Sequence, residues 1–182
     1  HFGDCHYLEG NVQAEKKLLM TQKLLDLSGI GKDRLQFAWV SSAEAQRFVD
    51  VVNETTASIK AMGALDAERF NLNLEASELT VSGETIRWLV GKEVNITTKG
   101  DVYGRSWDEE KYESVLHSEL EREYQKNLIY LAIREGASSV RDISAKIDVD
   151  LLRVSYLLAD LERTNLVEFT GMQDSKPVFA AL

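Results

Sequence analysis

The residues best equipped for chemistry stand together at the start of the chain, in His1-Phe2-Gly3-Asp4-Cys5-His6-Tyr7-Leu8-Glu9-Gly10-Asn11. This stretch holds the single cysteine and two of the three histidines, beside the carboxylate of Asp4 and the glycines Gly3 and Gly10, just before a helical pattern begins. A thiolate flanked by imidazoles and a carboxylate can ligate iron or zinc, and amides at a helix start lower a thiol's pKa. Two plainer readings stand beside that one. A lone cysteine is commonly a small buried hydrophobe, and a histidine-rich start can be left over from an expression tag. One cysteine cannot hold a cluster by itself.

Gly3-Asp4-Cys5-His6-Tyr7, followed by Glu9-Gly10-Asn11, resembles the signature loop of the delta subunit of methyl-viologen-reducing hydrogenase. That loop reads Gly-Cys-His-x-Gly-Asp-Cys-His-Tyr-x-x-Gly-Asn, so His1, Gly3, Asp4, Cys5, His6, Tyr7, Gly10 and Asn11 all fall on its pattern. The likeness continues through Trp39-Val40-Ser41, Ala43-Glu44, Phe48 and Val52-Asn53-Glu54, about the first third of the chain. The resemblance implies an iron-sulfur protein whose 2Fe-2S cluster relays electrons between a hydrogenase and a flavin- and cluster-bearing heterodisulfide reductase. Cys5 would be a ligand of that cluster, and Gly3, Asp4, His6, Tyr7 and Asn11 would shape its surroundings. The family pattern carries a further cysteine directly before the position of His1, and more upstream. The expectation is therefore the C-terminal part of a longer protein, in which the cluster cannot assemble from these residues alone, because it takes four ligands. Zinc or nickel held by His1, Cys5 and His6 is a third possibility.

The elements that must position this loop belong to a chain of 182 residues, long enough for one ordinary domain or two small ones. Its 44% apolar content supports real cores, and 28% charged residues is ordinary for a folded domain. No run of about eighteen apolar residues offers a membrane span, and no leader is evident, which points to the cytoplasm. A single cysteine excludes an internal disulfide framework. The formal net charge of −9 repels phosphate backbones unless basic residues are gathered in one place.

Apolar residues at helical spacing predict a first helix from about Asn11 to Ser28, stopped at Gly29. Leu35 to Val40 reads as a strand, and Ser41 with Glu44 as a capping box opening a second helix that runs to Gly63. Loop, helix, strand, helix is the order of a parallel α/β sheet, so residues 1–64 are expected to form half of a flavodoxin-like domain. Its amphipathic helices would need the other half, the rest of the chain or a second copy to cover them, hence a possible homodimer. Leu72 to about Thr98 predicts a helix within a connector, residues 65–107. Parts of that connector, Arg87 to Glu93 and Gly100 to Gly104, are similar to an extension in some members of the same family. A helix from Asp108 to Gly136 with a break near Ser118, a short one capped by Ser138 or Ser139, another over Asp148 to Thr164, and a hairpin over Leu166 to Ala180 predict a winged-helix domain in residues 108–182. The fold class expected is thus an α/β fragment followed by a mainly α winged-helix domain, helix-rich throughout.

Fold alone does not make that domain a DNA reader. Its second helix, Asp148 to Arg163, carries Asp148, Asp150, Asp160 and Glu162 against Arg153 and Arg163, the wrong sign for phosphates. The alternative to electron transfer is accordingly a docking or transcriptional module, with Tyr156, Phe169 and the helix from Asp108 as contact candidates. Glu119, Glu121 and Glu123 read as a solvated helix face, and His117 as the partner of Glu113 or Glu121. No phosphate loop, zinc-protease motif or serine elbow is present, and the chain offers no independent active site.

Overall fold

The computed structural model describes residues 5–182, which form seven helices, one short 3-10 turn and one two-stranded sheet. The helices are α1 (Gly10–Leu27), α2 (Ala45–Met62), α3 (Asn71–Ser82), α4 (Glu84–Lys99), α5 (Glu109–Arg134), α6 (Val140–Ile147) and α7 (Leu151–Arg163). Strands β1 (Val167–Gln173) and β2 (Lys176–Ala181) pair antiparallel. The chain packs as two compact units, one from residues up to Phe70 with Arg87–His117, the other from Asn71–Ile86 with Ser118–Leu182. No helix among the described residues is long and apolar enough to cross a membrane.

In the first unit, Met20 and Leu24 on α1, Ile30 after it, Val90 and Val94 on α4, and Tyr112 and Leu116 on α5 are buried. Gly29 and Gly31 both take positive φ, which glycine adopts without a Cβ penalty, and α1 ends there as its sequence requires. At the start of α2 the Glu44 carboxylate accepts from the Ser41 backbone N–H at 2.8 Å. The reciprocal bond is missing: Ser41 Oγ faces the Ala43 N–H at 3.5 Å instead. Arg34 donates to the carbonyls of Gly63 and Met62 at 3.1 and 3.4 Å, closing the C-terminal end of α2 with a cation.

The expected strand at Leu35–Val40 is not in a sheet. Among the described residues the only ladder is β1 with β2, so no parallel sheet forms. A strand exists only through the backbone bonds of a neighbouring strand, and none of the described residues supplies one here; the backbone at Leu35 is extended all the same. Two helix boundaries also differ from expectation. The connector helix is divided into α3 and α4 at Gly83, and α5 runs without a break through Ser118 because Leu116, Leu120 and Tyr124 stay buried on one face.

The second unit gathers Ile129, Ala132, Ile133, Ile143, Val154, Leu157, Leu158, Leu161 and Val167 into one core, with Phe179 and Ala181 of β2 against it. Ser139 caps α6 through a full capping box with Asp142, whose carboxyl the Ser139 hydroxyl holds below the usual range. Asp150 caps α7 through the N–H groups of Leu152 and Arg153. Asp160, buried on α7, is paired with Arg122 of α5 and, at 2.6 Å, with Arg163. The hairpin turns through Asp174 and Ser175, both at positive φ, in the manner of the two-residue turns that match strand twist. Val178 bridges to Ser139, and the Phe179 N–H donates to the Ser138 carbonyl at 2.9 Å, tying the hairpin to the loop before α6.

Candidate metal centre

Cys5 is half-buried immediately ahead of α1. The chain turns sharply after it: the Leu8 N–H donates to the Cys5 carbonyl at 3.0 Å, and Leu8 takes φ of 57°, a conformation that costs a residue with a side chain about 1–2 kcal/mol. The thiol comes to rest over the first residue of α1. A Cβ at Gly10 would lie 2.7 Å from Cys5 Sγ, so only glycine leaves the sulfur its position. That close approach explains why glycine stands at the start of the helix, where conformational freedom is not otherwise needed.

The remaining site candidates are placed differently from one another. His6 and Tyr7 are exposed, Tyr7 at 82%, their rings meeting edge to face at 5.3 Å. Asn11 is half-buried on the first turn of α1 and borders a cleft with Phe37, Trp39 and Phe48. His1, Gly3 and Asp4 lie outside the described residues. Glu9, next to the loop, pairs with Lys99 at the end of α4 at 3.3 Å.

An iron-sulfur cluster of the 2Fe-2S kind takes four protein ligands. Cys5 fits as one: its sulfur is half-buried just ahead of α1 and packs against Gly10, which has no side chain to displace it. The chain has no second cysteine, so its own residues do not complete the set.

Residues 1–63 match the family of the methyl-viologen-reducing hydrogenase delta subunit. This segment is 39% identical over 69 residues to the iron-sulfur subunit of the F420-non-reducing hydrogenase of Archaeoglobus profundus, covering 38% of this chain and 50% of that protein. It is 44% identical over 61 residues to the iron-sulfur subunit of the vhu F420-non-reducing hydrogenase of Methanocaldococcus jannaschii, covering 34% and 46%. A further relative is a component of the ferredoxin/F420H2-dependent CoB-CoM heterodisulfide reductase of Methanosarcina acetivorans. The likeness there is 31% identity over 65 residues, covering 36% of this chain but 8% of that protein. The chain thus spans about half the length of the iron-sulfur subunits it resembles. No solved structure matches it.

One cluster of charged groups in the first unit escaped the sequence. Lys16 of α1 points its ammonium at Glu93 Oε1 of α4, 2.9 Å away, and at Glu113 Oε1 of α5, 2.8 Å away, and also bonds Glu109. The three carboxylates come within 4.8 Å of one another, a spacing that would suit a cation, and the lysine is that cation. Glu93 Oε1 is fully buried and accepts no well-directed hydrogen bond, so the nearby ammonium is its compensation. Burial works against the charge on Lys16, but the hydrogen bonds to Glu109 and Glu113 and the charge of Glu93 outweigh it and hold the ammonium well above its ordinary range. Burial, with the field of Glu93, pushes the Tyr112 hydroxyl up to about 12; that hydroxyl donates to the Leu89 carbonyl at 2.8 Å. Lys16 reads as a wet-face residue because its partners are some 77, 93 and 97 positions away, and no local periodicity reports such a pairing. His117 is half-buried and lines a cleft with Lys16, Lys23, Lys32 and Glu113.

Proposed function

We propose that these residues are the C-terminal part of an iron-sulfur electron-transfer protein, in which Cys5 is one of four ligands of a 2Fe-2S centre. The observation that carries the reading is the Cys5 sulfur seated over Gly10, a position that any side chain at residue 10 would close. The iron-sulfur names of the relatives support it. The remaining ligands come from sulfur donors outside these residues, because the sequence holds one cysteine. When bound, such a centre would supply one-electron transfer, in the intact protein between a cytoplasmic hydrogenase and a heterodisulfide reductase; a likeness to proteins named for both enzymes supports this pairing. By the family pattern, Gly3 would allow a tight backbone path and Asp4 would belong to the surroundings of the sulfur. His6, Tyr7 and Asn11 set the polarity around it, which tunes a cluster's potential.

Residues 108–182 serve this relay as a docking module of winged-helix form. The order α5, α6, α7, β1, β2 supports that arrangement, as does the tie from the hairpin to the loop before α6. Its partner surface is protein rather than nucleic acid. Arg163 is taken up by Asp160, and Arg153 by Gln125 at 2.7 Å, while the outer face of α7 presents Leu152 at 80% and Tyr156 at 63% exposure. Residues 1–64, 65–107 and 108–182 are the divisions by which we assign these roles.

Iron analysis after anaerobic reconstitution tests the ligand assignment. The chain is produced together with the unmatched half of the Archaeoglobus profundus protein, native and with Cys5→Ala or Gly10→Val. Bound iron and the visible absorption of a 2Fe-2S cluster are expected for the native chain and are lost in both variants. Equal iron in all three removes Cys5 from the ligand set. Salt-sensitive binding of duplex DNA by the chain would favour a transcriptional role instead.

A further inference from the structure

Helix α2 is eighteen residues long and buries none of them. Its apolar residues are nevertheless on one side: Phe48, Val49 and Val52 are 59%, 48% and 44% exposed, within a turn of one another. Beside them the run from Gln36 to Val40 belongs to no ladder among the described residues. Phe37, Trp39, Val40, Phe48 and Val49, with Asn11 of the cysteine loop, line one open cleft of about 800 Å3. Most helical stability in proteins comes from packing of an apolar face, and a contiguous exposed patch of this kind marks an interaction surface.

We infer that this face is the docking surface for the half of the iron-sulfur protein that residues 1–63 do not include, with a strand of that half pairing along Gln36–Val40 and its side chains covering Phe48 and Val52. The inference rests on the iron-sulfur reading for the identity of the occupant and on the exposed face for its place. Three observations select that occupant over a second copy of this chain. The run carrying Phe37, Trp39 and Val40 has the composition of a strand, and a strand needs another as neighbour. The matched 69 residues are 50% of the Archaeoglobus profundus protein, so such relatives carry a segment of equal length beyond the match. Asn11 places the cleft next to Cys5, where further sulfur donors are needed; a second copy, itself at net charge −9, would bring repulsion and only one more thiol.

The test is amide hydrogen exchange on the 182-residue chain, alone and co-produced with the unmatched half of the Archaeoglobus profundus protein or, independently, of the Methanocaldococcus jannaschii one, all without iron. A one-to-one complex is expected, with exchange across residues 36–62 slowed about tenfold or more. Phe48→Asp abolishes the complex, and Leu152→Asp on α7 leaves it intact. The inference is overturned by a complex protected elsewhere, by no complex with either half, or by self-association of the chain that Phe48→Asp disperses. Because iron is absent, a complex that forms as described yet later binds no cluster would sink the ligand assignment and leave this surface standing.

Discussion

Replacing Lys16 with methionine isolates what holds α1, and with it the cysteine loop, to the rest of the first unit. The ammonium faces three carboxylates of unequal exposure: the side chain of Glu93 is 1% exposed, that of Glu113 40% and that of Glu109 62%. Exposed pairs contribute about 0–1 kcal/mol each, so Glu93 decides the outcome. Removing its counter-charge leaves a buried carboxylate uncompensated, a loss of about 3 kcal/mol. Glu93→Gln alone removes a charge whose partner keeps two other acids, and should cost about 1 kcal/mol. In the double variant no buried charge is stranded, and the expected cost is about 2 kcal/mol rather than the additive value of about 4, a coupling of about 2 kcal/mol. Urea unfolding followed by tryptophan fluorescence reads this unit selectively, since Trp39, Trp88 and Trp107 all belong to it. Additive single effects, with coupling below about 0.5 kcal/mol, would refute the claim that Lys16 and Glu93 compensate one another.

Alkaline pH probes the same cluster. Lys16 and Tyr112 both hold their protons more tightly when folded than their ordinary values near 10. Their contribution is therefore complete below about pH 10 and is lost as pH rises toward their folded values; urea midpoints should fall above about pH 10, and less steeply in Tyr112→Phe. In the second unit the Arg122 guanidinium holds the Asp160 carboxyl below the usual range. That stabilisation is present above about pH 4 and disappears as pH falls through the folded value. Asp160→Asn should cost about 2 kcal/mol at about pH 7 and flatten the acid limb of the stability profile. Ser175→Gly, at a residue with φ of 60°, should raise the stability of the hairpin by about 0.5 kcal/mol, seen as slower amide exchange in β1 and β2.

Much of the helical order was legible because it is written locally. Gly29, Gly63 and Gly136 end helices where the apolar pattern stops, and Asp108 and Ser139 start them with side chains that bond the first turn. The hairpin was legible too, though its strands run to a two-residue turn, because Asp174 and Ser175 tolerate positive φ in place of a longer loop. Leu35 to Val40 has the composition of a strand, yet no neighbouring strand among the described residues makes it one, a dependence on distant residues that composition does not carry. The continuity of α5 past Ser118 follows from burial of Leu116 and Leu120, which outweighs the weak local preference of serine. At the site, Cys5 stood out by its residue type, whereas Gly10 had no reason beyond a family pattern; the contact between the Gly10 position and the sulfur supplies it.

Spin resonance of the reduced complex, comparing native Cys5 with Cys5→Ser, addresses ligation at Cys5 most directly. An oxygen ligand in place of sulfur should alter the g-values of the 2Fe-2S signal and lower its reduction potential, while the Phe48-lined face still holds its partner. An unchanged spectrum and potential in Cys5→Ser would contradict the assignment of this thiolate to the cluster.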